Sequence, residues 1–355
     1  MAKGFEGYIG VVPETKGWGT STHGEGFFLF ADSESLSLGQ EFTDRPDKLV
    51  QGRWEKPASR TISAQKPNGN IEFQPRSDDM VIILMAHFQK FVGTTMYKTG
   101  TPANYTFVPE KGQPDWVGST WGTGGYTADP GDVFTFGVIK KILDNTDGTD
   151  NSMWFKNCIV DQLVFTSEAA NDVKISASIK AKTVDAGTHI GSSLNPPSSL
   201  GSYSSLSAFE GYEGTWTIAG RTDLEVTSVT FTSVNNTEDR AKLGNLNPTK
   251  YDFGMGNVTG AVKLDAPKEA LWHLGSMVAD AALSLHGTYY NSTNDYFTIS
   301  IPNCKYEPFD VNLSGANSTT EYDLAFKAYE SADGATAPIT IKVQTTGMGS
   351  NFAVI

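Results

Sequence analysis

Along several stretches of the chain apolar and polar residues alternate with a two-residue period, the pattern of a strand with one face buried and the other wet. Val173, Ile175, Ala177, Ile179 and Ala181 share one face, while Lys174, Ser176, Ser178, Lys180 and Lys182 share the other. Tyr322, Leu324, Phe326 and Ala328 alternate in the same way with Glu321, Asp323, Ala325 and Lys327. Ile339, Ile341 and Val343 make another stripe, and Phe297, Ile299 and Ile301 a fourth. In Leu224, Val226, Val229 and Phe231 the parity changes between Val226 and Val229, which predicts a β-bulge. Two stretches follow a helical period instead. Val81, Leu84, Met85, Phe88 and Phe91 form one apolar stripe, with Ser77 as the expected cap and Asp78 and Asp79 at the positive end of the helix dipole. Leu271, Leu274, Val278 and Leu285 form the other, with Pro267 fitting a first turn.

The order strands, helix, strands therefore occurs twice, and short sequences recur with it. Phe5-Glu6-Gly7-Tyr8 returns as Phe209-Glu210-Gly211-Tyr212. The only two cysteines sit in matching frames, Asn157-Cys158 and Asn303-Cys304, each followed 22 or 23 residues later by a Lys-Ala pair, Lys180-Ala181 and Lys327-Ala328. Gly69-Asn70-Ile71-Glu72-Phe73 leads into the first helix and Gly260-Ala261-Val262-Lys263-Leu264 into the second. A repeat this long exceeds the roughly 20 to 50 residues of a solenoid unit, so each copy is expected to carry its own core. The fold class expected is mainly β (α+β): two homologous β-sandwich or barrel domains, residues 1–205 and 206–355, each with one flanking α-helix.

The copies differ in one place. Gly69 to Cys158 spans 89 residues but Gly260 to Cys304 only 44, so the first copy carries about 45 extra residues, near 93–135. That insertion holds Tyr105, Trp116, Trp121 and Tyr126 among many Gly, Thr and Pro. Aromatic residues on long loops are enriched at interfaces, which makes Trp116, Trp121 and Tyr126 candidates for contact with another subunit. A hairpin folded back over its own domain is the alternative.

Composition narrows the function classes. The net charge of −13 argues against gripping nucleic acid, which depends on Lys and Arg displacing counterions, but not against letting nucleic acid pass. No run approaches the roughly 18 apolar residues of a transmembrane helix, and a soluble chain is expected. The five histidines form no metal-ligand pair, and Gly122-Thr123-Gly124-Gly125 lacks the Lys-Ser/Thr that grips phosphate. Asp144 to Asn151 resembles a calcium loop in flavour, but its carboxylates miss the required spacing and it reads as a hairpin tip. The two cysteines, one per copy, read as reduced buried thiols. No catalytic, metal or cofactor site is expected.

The opening Gly4-Phe5-Glu6-Gly7-Tyr8-Ile9-Gly10 followed by Glu14-Thr15-Lys16-Gly17-Trp18-Gly19-Thr20, the strand Ser33 to Leu38, the strand Gly69 to Phe73 before the helix, and the strand Lys174 to Thr183 together resemble the tail tube proteins (major tail proteins) of long-tailed bacteriophages. The resemblance implies a structural virion protein with no enzymatic activity. It implies stacked rings that form the hollow tail tube around a tape-measure protein, capped by tail-terminator and baseplate proteins. Viral DNA would pass through the lumen without specific binding and without a membrane partner. Assembly would take place in the host cytoplasm, and the product would lie in the virion tail. Single-copy relatives form sixfold rings, so a duplicated chain implies a trimer with pseudo-sixfold symmetry. On that reading Lys174, Lys180, Lys182, Glu321 and Asp323 are candidates for a lumen or solvent strand face, a mixed ring of charge. A carbohydrate-binding or adhesive β-sandwich, with Trp116, Trp121 and Tyr126 stacking on sugar rings, is the alternative from another class. A hydrolase on a β scaffold is the third.

Overall fold

The computed structural model describes residues 7–14, 27–44, 60–89, 103–109, 133–143, 150–186, 206–222, 224–265, 270–309 and 322–346. Within them the protein is mainly β with two α-helices. The first half runs β1 (Gly7–Pro13), β2 (Phe27–Leu29), β3 (Ala31–Glu34), β4 (Gln40–Asp44), β5 (Arg60–Gln65), β6 (Asn68–Phe73), α1 (Asp79–Phe88), β7 (Ala103–Phe107), β8 (Phe136–Leu143), β9 (Asp150–Glu168), β10 (Lys174–Lys180) and β11 (Thr183–Ala186). The second runs β12 (Gly214–Ile218), β13 (Val226–Val234), β14 (Glu238–Arg240), β15 (Lys250–Asp252), β16 (Asn257–Leu264), α2 (Ala270–Val278), β17 (Leu283–Ser292), β18 (Asp295–Tyr306), β19 (Tyr322–Ala328) and β20 (Thr340–Thr345). The alternating stripes named above lie on or next to β10, β13, β18, β19 and β20, and their apolar members are buried, Val226 only partly.

The main sheet runs β12-β17-β18-β19-β16-β13-β9-β10-β6-β3, and every pairing along it is antiparallel. Its order contains the same four-stranded block twice, β18-β19-β16-β13 and then β9-β10-β6-β3. The match extends to register. Ile179 lies opposite Gly69, and Phe326 opposite Gly260; Ile175 opposite Phe73, and Tyr322 opposite Leu264. Lys180 lies opposite Ile159, and Lys327 opposite Lys305. Irregularities repeat as well. The register shifts between Ala31 and Ser33 against β6, and between Val226 and Ser228 against β16. It shifts again between Phe136 and Val138 against β9, and between Leu283 and Leu285 against β18. The parity change at Val226 is thus a bulge that both repeats possess.

Gly69 within β6 and Gly260 within β16 have a packing reason. A Cβ on Gly69 would stand 2.6 Å from Ser35 O and Leu36 Cα, and one on Gly260 would stand 2.4 Å from Thr230 O and 2.6 Å from the Phe326 ring. Neighbouring strands approach too closely there for any side chain.

Three sequence expectations need correction. Ser77 does not cap α1: Asp78 does, accepting from Asp79 N–H at 3.0 Å, while Ser77 turns its hydroxyl to Asp295 of β18 and Thr345 of β20. Leu285 belongs to β17, not to the second helix, because α2 ends at Val278. The repeated Phe-Glu-Gly-Tyr is not at matching ladder positions. Gly7 lies opposite Ile142 on β8, but its counterpart opposite Tyr289 on β17 is Gly214, because Gly211–Glu213 forms a single 3-10 turn before β12 begins. Pro267 and Phe91 lie outside the described residues. α1 also differs from a one-sided surface helix: all ten of its residues are buried, as its nearly unbroken apolar sequence requires.

One continuous core runs through both repeats, in place of the separate core expected for each copy, because the two repeats share one sheet across β13 and β9. At its centre Phe165 of β9 stacks on Phe231 of β13 at 5.0 Å between centroids, and meets Tyr289 and Phe297 edge-on at 5.8 and 6.0 Å. Tyr289 and Phe297 stack at 4.7 Å, and Phe209 meets Phe297 edge-on at the same distance. Such geometries add about 0.5–1.5 kcal/mol per pair to the burial of the rings themselves.

Candidate assembly interface

Two features of this sheet carry functional information: where its blocks join and where an edge is left over. The blocks join at β13 and β9, with Ser228 opposite Glu168 through to Val234 opposite Gln162. The ladder is bracketed by Ala169 N–H to Thr227 O at 3.0 Å and Asn235 N–H to Asp161 O at 2.8 Å. Beside it, Asp161 accepts from Thr237 N–H and Thr237 Oγ1 at 2.8 and 2.7 Å, and Lys180 Nζ reaches both Asp161 at 3.1 Å and Thr237 O at 2.6 Å. β3, the counterpart of β13, ends the sheet, and among the described residues no strand pairs with its outer side.

α1 packs over this joint and contributes His87, which is fully buried. Its Nδ1 lies 3.2 Å from Val160 O on β9 and its Nε2 2.8 Å from Ser233 Oγ on β13. Nδ1 also lies 3.3 Å from Asn235 Nδ2, which only donates, while the Val160 carbonyl only accepts, so the two contacts at this nitrogen ask for opposite tautomers of one neutral ring. Asn235 Nδ2 donates to His87 O at 2.6 Å. Burial pushes the imidazole down from 6.5 to about 4, against the smaller opposing pulls of Val160 O and Asp161.

The wet face of the joined blocks is rich in hydroxyls, with Ser176, Ser178, Thr166, Thr230, Thr232 and Thr259 across its middle. Of the sequence candidates for this face, Lys174 lies 3.2 Å from Glu72 and 3.7 Å from Asp32, and the Glu72 hydrogen bond heads the causes that raise its ammonium. Lys180 is held by Asp161. Asp323 sits directly opposite Lys263. Lys182 lies past the end of β10, where desolvation lowers its ammonium and its N–H donates to Lys156 O. Glu321, Trp116, Trp121 and Tyr126 lie outside the described residues. Part of the aromatic insertion does fold against the same chain: β7 pairs with β20, and Tyr105 is buried there.

Two other buried carboxylates act as structural clamps. Glu14 accepts from Thr135 Oγ1 at 2.6 Å, Asn157 N–H at 2.8 Å and Asn157 Nδ2 at 2.7 Å, and burial raises its carboxyl despite them. Asp295 accepts from Ser77 Oγ at 3.2 Å and Thr346 N–H at 2.8 Å, tying the start of α1 to the second repeat. Cys158 and Cys304 are free, buried thiols, and burial pushes Cys304 up to about 12.

The joint itself was missed by sequence reasoning. Gln162 to Glu168 alternates like any half-buried strand, and nothing in that alternation says that one of its neighbours comes from the other repeat. No curated protein matches the chain. A family model described as phage tail tube protein matches residues 4–342, nearly the whole chain, and the protein belongs to that family, a structural component of the bacteriophage tail.

Proposed function

We propose that the chain is two fused tail tube units, residues 1–205 and 206–355, and that three chains close head to tail into a ring with pseudo-sixfold symmetry. The observation that carries this is the repeated register with one joint made and one left over. If β13 of the second unit pairs with β9 of the first inside the chain, then β3 pairs in the same way with the β18 end of the next chain. A backbone edge that would otherwise invite uncontrolled pairing is thereby used up. Val278 supports this reading. It stands eighteen residues past Gly260, as His87 stands past Gly69; His87 is buried at the finished joint, whereas Val278 is 77% exposed.

The eight strands of the two blocks, taken three times, give about 24 strands, and at ~4.8 Å spacing a bore of roughly 37 Å between backbones before strand tilt widens it. The hydroxyl-rich face would line that bore. Lys174 stands beside Glu72 and Asp32, Lys180 beside Asp161, and Lys263 opposite Asp323, which tempers the positive charge offered to phosphate, and DNA would pass without being held. Stacked rings would enclose a tape-measure protein, meet terminator and baseplate proteins at the ends, and deliver the genome; assembly would take place in the host cytoplasm. We assign no catalytic role.

Negative-stain electron microscopy over a range of concentrations tests the proposal. Annular particles or hollow tubes with threefold or pseudo-sixfold averages are expected. Monodisperse single chains at every concentration would contradict it and favour the sugar-binding alternative.

A further inference from the structure

The outer side of β3 is not bare. In an antiparallel ladder successive N–H groups point to opposite sides. Ser35 and Ser37 send theirs to Asn70 O and Asn68 O, 2.9 Å each, so Leu36 between them points its N–H away from β6, toward the sheet's outer edge. That N–H donates to Oε2 of Glu34, two residues back, at 2.9 Å. The other carboxylate oxygen, Oε1, pairs with Nζ of Lys140 on β8, and both side chains are largely screened from water.

The second repeat shows what occupies this place once the edge is paired. The shared register makes Phe231 the counterpart of Leu36, and Val229 that of Glu34. The hydrogen bonds that bracket β13 and β9 make Phe231 and Phe165 a hydrogen-bonded pair, so the Phe231 N–H meets a strand. Val229 is a buried hydrocarbon there. At the finished joint the position is apolar and the neighbouring amide is bonded to backbone; at the open one a carboxylate stands where the backbone acceptor would be. A charged side chain on the inner face of an edge strand is one of the devices by which proteins prevent edge-to-edge pairing.

We propose that Glu34, anchored by Lys140, is a latch on assembly. Its carboxylate occupies the acceptor position at Leu36 that a strand of a second copy of this chain must take, so β3 pairs only when that copy displaces it. The latch rests on the ring reading above and adds to it a reason for the chain to stay unpolymerised until other contacts bring two copies together.

The test compares wild type, Glu34→Val, Glu34→Gln and the double variant Glu34→Val/Lys140→Met, which avoids leaving a lone ammonium. Light scattering gives the concentration at which each assembles, and hydrogen exchange gives the protection of the Leu36 amide in the single chain. A hydrogen bond to a charged group is strong enough that removing it shifts assembly to about tenfold lower concentration. Exchange at Leu36 rises by a similar factor, about tenfold, with Glu34→Gln between the extremes. Folded Glu34→Val and double variants that assemble at or above the wild-type concentration overturn the latch and leave the ring intact. Should both fail to fold, Lys140→Met, which frees the carboxylate from its anchor, must lower the concentration instead, and an unchanged value overturns the latch. A wild type that never assembles removes the ring reading, and the latch falls with it.

Discussion

His87 offers a direct test of how the two repeats are held together. Its neutral ring lies between a backbone carbonyl of one repeat and a serine hydroxyl of the other, shut away from water. In the unfolded chain the imidazole takes up a proton near 6.5; in the fold it does so only near 4. Between these values the unfolded state binds more protons, so stability is full above about 6.5 and is lost as pH falls toward 4. At about 1.4 kcal/mol per pH unit, the interval corresponds to about 3 kcal/mol. Glu14 and Asp79, whose carboxyls are raised by burial, act in the opposite sense, because they favour the fold while protonated and weaken it as pH rises. The comparison that isolates His87 is therefore wild type against His87→Gln, by urea unfolding of the single chain at several values between pH 7.5 and 4. The stability difference between them is expected to shrink by about 3 kcal/mol across that range, against wild type. A difference that stays constant with pH would show that the ring is not a buried neutral group and would refute the reasoning.

Other perturbations follow from the same geometry. Glu14→Ala leaves the Asn157 and Thr135 donors unpaired in the interior and is expected to cost about 2–4 kcal/mol, measured by urea unfolding. Phe231→Ala removes the ring stacked on Phe165 across the joint and is expected to cost about 3–5 kcal/mol, with the two repeats losing protection together in hydrogen exchange. Gly69→Ala and Gly260→Ala are expected to destabilise by a similar amount, about 1–3 kcal/mol each, because both force a methyl against a neighbouring strand. Thermal unfolding in which only one of the pair matters would break the equivalence of the repeats.

Much of the fold was readable because a two-residue period ties each side chain to a face. Val173 to Ala181 and Tyr322 to Ala328 give their burial directly, and the parity change at Val226 gives the bulge. Helices were harder. α1 is apolar all round, so its stripe said nothing about which elements enclose it, and Ser77 reads as a cap until Asp295, far along the chain, competes for its hydroxyl. The tetrapeptide Phe-Glu-Gly-Tyr showed that a duplication exists but misled about register, because Gly7 and Tyr8 already belong to β1 whereas Gly211 and Tyr212 sit in a 3-10 turn ahead of β12. The interface was the least legible part. A free sheet edge depends on which strands are neighbours, and β3 differs from β13 by nothing in its own alternation that marks it as last. The one local signal was Glu34, a charge where its counterpart is Val229, and its meaning needed the hydrogen bond to Leu36.

The most direct test of the central claim is a disulfide placed across the joint between chains. Asn235 and Asp161 face each other at the joint inside the chain, and their counterparts are Gln40 and Glu307. Paired strands bring such positions to about 5.5 Å between Cα atoms, within disulfide reach. Oxidised assemblies of the Gln40→Cys/Glu307→Cys variant should run on a non-reducing gel as covalent trimers, with Cys158 and Cys304 too buried to interfere. An absence of cross-links in formed tubes, or bridges closing within single chains, would contradict the pairing of β3 with the next copy.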